Sequence, residues 1–211
     1  MKKILIIYSI VLVSLNLFGQ IEPHNRNSEN LNHDYIIPNA DPPESSLDIK
    51  EGGCGEDCLS TVFRMQEKAM SQKEINESVR NPGRGLHGNE IIKALEKNDI
   101  TYKDISIITR RYSEYLNKVI IPAILNNNPV LLGVKIYPDE HPEWTADHFI
   151  LLVGYNSITN ELIYNSNNER ERISVQKLLN NERGYSIVNK YEKIFAIQFA
   201  DSANGKLFSP E

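Results

Sequence analysis

Gly52-Gly53-Cys54-Gly55-Glu56-Asp57-Cys58-Leu59 is a glycine-rich approach to a cysteine, and it continues into an apolar, helix-favouring segment that extends to Met70. Glycines let the backbone turn sharply and come close to a substrate. The N–H groups of a first helical turn and the helix dipole favour a thiolate over a thiol. The stretch therefore predicts that Cys54 is a nucleophile at the N-terminus of a helix.

Other interpretations of the cysteines stay open, because Cys54 and Cys58 are the only two in the chain. They are equally suited to a structural disulfide or to a pair of inert buried thiols, since small exported domains often carry structural cysteines. A zinc site is a further alternative, with His148 and either His87 or His141 completing the ligands, but the spacing is not that of the usual zinc sites. We therefore predict no metal. Neither a GxGxxG nor a P-loop pattern occurs, which argues against nucleotide binding, and no cofactor is predicted.

The N-terminus has the pattern of a secretory signal peptide. Met1-Lys2-Lys3 is basic, and a continuous apolar run over residues 4–18 closes on Gly19-Gln20. The run is shorter than the roughly 20 apolar residues that a membrane span needs. We predict a signal peptide over residues 1–20, a secreted or periplasmic protein, and no stable membrane span after signal cleavage.

Composition divides the remaining chain into three parts. Residues 21–47 are rich in Asn, Ser, Pro, Glu and Asp, so they bury too little apolar surface to fold alone and are predicted to be a polar, flexible linker. Within them, Tyr35-Ile36-Ile37 either adds an edge strand or packs on the domain. Residues 48–200 are long enough for one domain with one core, and residues 201–211 are predicted to be a C-terminal tail.

The charge pattern argues against a nucleic-acid partner. The chain carries 23 Lys and Arg against 28 Asp and Glu, a formal net charge of −5. Basic residues are scattered apart from Arg110-Arg111 and the pair Arg170 and Arg172, which are typical of solvated faces. An acidic surface repels a phosphate backbone.

Apolar residues have helical spacing in the first part of the domain and the spacing of extended strands in the second part. Short uninterrupted apolar runs between turn residues are typical of strands buried on both faces. Helices before a mostly antiparallel sheet make an α+β arrangement. The predicted helices are 59–70, 71–79, 88–97, 113–125 and 173–179, where Pro122 either kinks the fourth helix or starts a second segment. The predicted strands are 100–105, 130–136, 149–155, 161–165, 186–188 and 193–199.

Two polar positions in the predicted sheet complement the cysteine. His148 stands at the start of a buried strand, which holds its imidazole rigidly at a sheet edge. The next strand ends in Tyr164-Asn165-Ser166, and a hairpin brings this end back beside His148. Together with Cys54 these features supply a nucleophile, a base and an orienting group, the set that ionises a thiol and holds the imidazole tautomer.

The chain resembles the C39-like and bacteriocin-leader peptidases of the papain-like superfamily. The segment from Cys54 to Leu59 is similar to their Cys-Gly-x-x-Cys-Leu signature, and the strand that follows Asp147-His148 is similar to the papain-like histidine strand. The resemblance implies a papain-like α+β fold with Cys54 as nucleophile, His148 as general base and then acid, and Asn165, or alternatively Asn167, orienting the imidazole. A competing register makes Cys58 the nucleophile, but the spacing favours Cys54.

One position departs from the pattern that the resemblance implies. The family places a glutamine six residues before the nucleophile as an oxyanion donor, and this chain has Asp48 there. An ionised carboxylate accepts but does not donate hydrogen bonds, and losing one such donor costs about 10²–10³ in rate. The sequence therefore predicts an exported thiol hydrolase acting on a peptide or protein substrate through a Cys-His-Asn triad and a thioester, with a catalytically impaired peptide-binding module as the alternative.

Overall fold

A computed structural model describes residues 33–50, 52–68, 70–79, 84–137, 140–181 and 184–210. The predicted signal peptide and residues 21–32 lie outside this part of the chain. The helices are α1 Cys54–Met65, α2 Gln72–Val79, α3 Gly88–Lys97, α4 Tyr112–Tyr115, α5 Ile121–Leu125 and α6 Val175–Leu178, with a π-helical segment, Leu116–Ile120, between α4 and α5. The strands are β1 Asp34–Ile36, β2 Tyr102–Asp104, β3 Ile107–Ile108, β4 Val130–Val134, β5 His148–Asn156, β6 Glu161–Ser166, β7 Glu169–Ser174, β8 Lys193–Ile194 and β9 Ala196–Phe199.

The main sheet has seven strands, six of them in the order β2-β9-β4-β5-β6-β7. Every pairing is antiparallel, and β1 is the seventh strand, paired with the end of β5. β3 and β8 form a separate two-stranded ribbon. The predicted α+β fold, with N-terminal helices and a mostly antiparallel sheet, is confirmed.

The core lies between α1 and the central strands. α1 packs against β5 and β6, and it presents Leu59, Val62 and Phe63, which are all fully buried. This i, i+3, i+4 spacing places the three side chains on one face of the helix. All five residues of β4 are buried, as predicted for a strand with both faces covered. No helix among the described residues combines the length and the apolar composition that crossing a membrane requires.

Local sequence rules account for two helix boundaries. The predicted capping box before α2 forms, since Glu74 accepts hydrogen bonds from the Ser71 N–H and hydroxyl, both at 2.8 Å. The predicted interruption at Pro122 also occurs: proline cannot donate to the preceding turn and clashes with the carbonyl four residues earlier. The π-helical segment accommodates this, so that Pro122 lies in the first turn of α5.

The structure differs from the predicted elements in several places, beginning with the first helix, which spans Cys54–Met65 and not 59–70. β7 was not predicted, because its ERERIS sequence is charged and largely exposed, as suits an edge strand. The helix predicted over 173–179 is shorter, since Ser174 ends β7 and caps α6 by accepting from the Lys177 N–H at 3.1 Å. No strand forms over 186–188, where Ser186 makes only an isolated bridge to Lys135.

The structure also corrects the predicted linker and tail. The segment 33–47 is packed on the domain: β1 pairs with β5, and Ile37 and Ala40 are buried. Its few apolar residues are enough to hold the segment on the domain, because they add to a sheet and a core that the rest of the chain forms. At the other end, Phe208 packs against the core and its N–H donates to Asn128 Oδ1 at 2.7 Å. The ordered domain therefore begins before residue 48 and includes part of the predicted tail.

Candidate active site

Cys54 is the first residue of α1, and Gly53 is its N-cap. A Cβ on Gly53 would lie 2.7 Å from the Leu47 carbonyl oxygen, and Gly52 has a positive φ of 76°, so both positions need glycine. The Asp57 N–H makes the first intrahelical hydrogen bond, to Gly53 O at 2.9 Å. The N–H groups that precede it in the first turn have no acceptor within the helix and form its positive end. The predicted placement of the cysteine at a helix N-terminus is therefore what the structure shows.

Two buried carboxyl groups join the start of α1 to its surroundings. Glu56 and Asp57 are 0% and 1% exposed. Glu56 Oε1 accepts from the Leu86 N–H at 3.1 Å and from the Asn76 amide, and Asp57 Oδ1 accepts from the Leu47 N–H at 2.9 Å. Burial raises the pKa of both groups. Through these bonds, Asp57 holds the chain at Leu47 and Glu56 holds the chain at Leu86 against the first turn of α1.

His148 is the first residue of β5, and its Nε2 atom is enclosed by two hydroxyl groups. Nε2 lies 2.9 Å from Ser166 Oγ and 3.4 Å from the Tyr185 hydroxyl, and the two oxygens are 3.0 Å apart. The imidazole also stacks on the Tyr185 ring, with centroids 5.2 Å apart. Burial lowers the His148 pKa to about 4, although Asp147 and Glu171 act in the opposite direction.

Cys54 and His148 line the same cleft, which has a volume of about 740 Å³. Burial raises the Cys54 pKa to about 11, the Glu56 and Asp57 charges act in the same direction, and the Phe149 and Gly55 backbone N–H groups oppose them. Nucleophile and base thus face one shared cleft, Cys54 from the start of α1 and His148 from the start of β5. At neutral pH these pKa values leave the thiol protonated and the imidazole uncharged.

The structure does not bring Asn165 to His148. The Asn165 amide donates to Ala40 O at 2.7 Å, and its Oδ1 accepts from Arg170 at 3.2 Å. Asn165 pairs with Leu151 of β5, and neighbouring residues of a strand point to opposite faces. The alternative, Asn167, is exposed in the turn between β6 and β7. The group that contacts the imidazole is Ser166, which was part of the predicted Asn-Ser pair but had no predicted role.

Asp48, the residue in the position of the expected oxyanion donor, is exposed and is not among the residues that line the cleft. Its carboxylate therefore does not occupy the place of the glutamine. The donors that the structure offers beside Cys54 are backbone N–H groups of the first turn of α1.

One wall of the cleft is held by a buried lysine. Lys135 is 2% exposed, and its Nζ donates to Glu140 O at 3.1 Å and His141 O at 3.0 Å and pairs with Asp147 Oδ2 at 3.3 Å. Asp147 Oδ1 in turn accepts from the Ile136 N–H at 2.7 Å. This network fixes both ends of the loop that precedes His148, and Glu143 and Trp144 of that loop line the cleft.

The second cysteine lies behind the first. Cys58 is 2% exposed, its thiol faces Phe149 O at 3.7 Å, and both cysteines are free. It does not line the cleft, so the register that makes Cys58 the nucleophile has no geometric support. The described residues contain no group of three or more His, Cys, Asp or Glu side chains arranged to hold a metal ion.

Comparisons with known proteins identify the family of the chain. Residues 31–196 match the Peptidase_C39 like family, whereas no curated protein matches the chain. Among solved structures, the chain is similar to a protein from Bacillus anthracis assigned as a C39-like peptidase, at 13% identity and a TM-score of 0.52 over 78% of this chain and 96% of that one. It is also similar to the N-terminal peptidase C39 like domain of a toxin secretion ATP-binding protein from Vibrio parahaemolyticus, at 14% identity and a TM-score of 0.43 over 70% and 97% of the two chains.

Proposed function

The chain belongs to the C39-like peptidase family, and on that premise we propose that it is a cysteine peptidase or amidase with Cys54 as nucleophile and His148 as general base. The observation that carries the proposal is that Cys54, the first residue of α1, lines the same cleft as His148. Papain-like chemistry requires such a thiol at a helix N-terminus beside an imidazole. Its substrate is then a peptide or protein amide.

The roles of Cys54 and His148 set the order of the reaction steps. The attack of Cys54 on the amide carbonyl transfers the thiol proton to His148, and the oxyanion forms beside backbone N–H groups at the start of α1. Collapse of this intermediate leaves a thioester on Cys54, while His148 gives the proton to the departing amine. Water, activated by the now neutral His148, attacks the thioester and releases the acid.

The resting site differs from a thiolate–imidazolium pair. The Cys54 pKa of about 11 and the His148 pKa of about 4 place the proton on sulfur in the free protein. The thiol proton therefore moves to His148 during the attack, while negative charge develops on the substrate carbonyl oxygen. Exclusion of water by the bound substrate strengthens the interaction between these charges and is part of catalysis. We expect a slow enzyme whose thiol reactivity rises towards alkaline pH.

A peptide-binding module is the second candidate function. It is favoured by one observation: the position of the expected oxyanion donor holds Asp48, whose exposed side chain does not line the cleft. Loss of that donor would impair catalysis but would leave the fold and the peptide-binding cleft unchanged. The two functions differ in whether Cys54 becomes acylated.

Acyl-enzyme formation tests the proposal. After brief treatment with an activated ester such as p-nitrophenyl acetate, intact-mass analysis and peptide mapping should show one acetyl group on Cys54 that water then removes. Cys54→Ala should abolish the adduct, and Cys58→Ala, the matched control at a buried thiol, should retain it. Acetylation spread over lysines, or none on Cys54, would favour the binding module.

We also propose that the protein is exported, because residues 1–20 have the pattern of a cleaved signal peptide. N-terminal sequencing of the mature protein from its native source should give a start at or just after Gly19-Gln20. A mature chain that begins at Met1 would contradict export by this route.

A further inference from the structure

We propose that Ser166 and Tyr185 are the positioning residues of His148 and that they hold its imidazole in the tautomer that accepts a proton from Cys54. This rests on the proposed function and gives the third catalytic role to a neutral hydroxyl pair instead of Asn165. The starting observation is that Nε2 of His148 contacts both hydroxyls, at 2.9 and 3.4 Å. The nitrogen left for Cys54 is therefore Nδ1.

The strand register explains why Ser166 has this position. Leu151 of β5 is opposite Asn165 of β6, so Ser166 is one step further, opposite Ile150 and on the same face as His148. Ser166 is 4% exposed, so water does not compete for its hydroxyl. The serine oxygen is thus held by two hydrogen-bonded strands, which fixes its distance to the imidazole.

Tyr185 restricts both the imidazole and the serine. Its ring stacks on His148, and on another side it meets the edge of the Tyr164 ring, with centroids 5.5 Å apart. Tyr164 is itself held by a hydrogen bond from its hydroxyl to Glu171. With its ring fixed in this way, Tyr185 places its hydroxyl 3.0 Å from Ser166 Oγ and limits the rotation of the serine hydroxyl.

The proton positions follow from the chemistry. For Nδ1 to accept the Cys54 proton, Nε2 must carry the ring proton and donate to Ser166 Oγ, which leaves the Ser166 O–H free to donate to Tyr185. When Nδ1 receives the proton, the imidazolium keeps its Nε2–H bond to Ser166, and the Nδ1 proton then passes to the departing amine. The proton count is conserved and no further acceptor is needed.

A hydroxyl pair and a carboxylate have different effects on an imidazolium. A carboxylate stabilises its charge directly, whereas neutral oxygens fix its orientation with little change in its pKa. The charged groups that act on His148 are Asp147 and Glu171, with the Cys54 thiolate when it forms. Asp147 is paired with Lys135 and Glu171 with Tyr164, so neither carboxylate is held by the imidazole.

Two measurements test the assignment in the full chain. ¹⁵N NMR of the wild-type protein near pH 7 should show His148 as a single tautomer protonated at Nε2. The second measurement is the rate constant for Cys54 alkylation by iodoacetamide in the same protein. Ser166→Ala should mix the tautomers and lower that rate about 10-fold, the effect expected from losing one hydrogen bond. Ser166→Asn, which restores an acceptor at Nε2, should recover most of it.

Matched variants separate positioning from packing. Tyr185→Phe keeps the stacked ring and should lower the rate about 3-fold, whereas Tyr155→Phe removes a hydroxyl at the far end of β5, where it donates to Asn160 Oδ1 at 2.9 Å, and should leave tautomer and rate unchanged. Asn165→Ala should reduce stability, since its amide holds Ala40 and Arg170, without changing the tautomer.

The outcomes distinguish this inference from the function on which it rests. Wild-type tautomer and rate in both Ser166→Ala and Tyr185→Phe, with the tautomer lost in Asn165→Ala, would overturn the assignment and return the role to Asn165. A wild-type His148 protonated at Nδ1 would overturn it without any variant. A labelling rate that is also insensitive to His148→Gln would contradict the proposed catalytic function itself.

Discussion

The cysteine half and the histidine half of the cleft are built in different ways. Cys54 is positioned by a continuous stretch of chain, with Gly53 before it and the buried carboxyls of Glu56 and Asp57 directly after it. His148 is positioned by residues distant in sequence, among them Lys135 and Tyr185. The position of the nucleophile therefore depends mainly on local structure, whereas the position of the base depends on strand register and long-range packing.

The largest expected effect comes from breaking the histidine half at Lys135. Lys135→Met keeps the volume of the side chain but removes the buried cation that pairs with the largely buried Asp147 and donates to the Glu140 and His141 carbonyls. Removing one partner of a buried ion pair costs about 3 kcal/mol or more. Urea denaturation at pH 7 should show this loss of unfolding free energy, with Cys54 alkylation also slowed because the wall before His148 loosens.

An exposed ion pair provides the control for Lys135. Lys118 and Glu114 lie 2.7 Å apart on the surface of a helix at i, i+4 spacing, so Lys118→Met should cost only about 0.3–0.5 kcal/mol. Equal losses in the two variants would mean that the buried pair does not hold the cleft wall.

The cysteine half should respond in the opposite direction when its buried charge is removed. Glu56→Gln keeps an acceptor for the Leu86 N–H but has no ionisable group. The raised pKa of Glu56 means that the folded state favours the protonated form, so the stability of the wild type falls as pH rises through that pKa. We expect the variant to be more stable than wild type near pH 7 and to differ little from it near pH 4.

The same substitution should increase the reactivity of the nucleophile, because the Glu56 charge raises the Cys54 pKa. Denaturation curves at the two pH values and the alkylation rate at pH 7 check both effects. Glu77→Gln is the matched control, since Glu77 lies on the exposed side of α2 and pairs with Lys73 at 3.8 Å. A Glu56→Gln protein that is less stable than wild type at pH 7 would show that the buried carboxylate supports the helix start.

The smallest expected effect concerns the first strand, which extends the sheet beside β5. The hydrogen bond from Arg172, with a second from Asn156, holds the Asp34 pKa at about 2 instead of 3.8. A lowered pKa contributes stability above the unfolded value and loses it as pH falls through about 2. Wild type should therefore be slightly more stable than Asp34→Asn near pH 5, and thermal melts should show the difference disappearing near pH 2. A pH-independent difference would contradict the ion pair.

Much of the fold was predictable from sequence, and the reason is physical. β4, β5 and β6 are apolar runs between turn residues, so burial on both faces identifies them without any knowledge of their partners. The glycines before Cys54 likewise predict a helix start from local chemistry alone. β7 was missed because an exposed edge strand needs no apolar pattern, and its charged residues looked like a solvated surface.

The site was predictable only in part, because the residue that orients His148 is decided by the pairing register of β5 and β6. Asn165 and Ser166 are neighbours in sequence, yet a shift of one residue decides which of them faces His148. Tyr185 lies in an irregular segment and reaches the imidazole through a contact 37 residues away in sequence. No periodicity or motif marks such a contact, so only the three-dimensional arrangement identifies it.

The most direct test of the account compares Cys54 alkylation in wild type and His148→Gln, both in a Cys58→Ala background. Glutamine is close in size to histidine, so the thiol keeps its surroundings while the base is removed. Near pH 7, the iodoacetamide rate constant should fall about 100-fold in the variant, in keeping with the contribution of a general base. Equal rate constants in the two proteins would show that Cys54 and His148 do not act together.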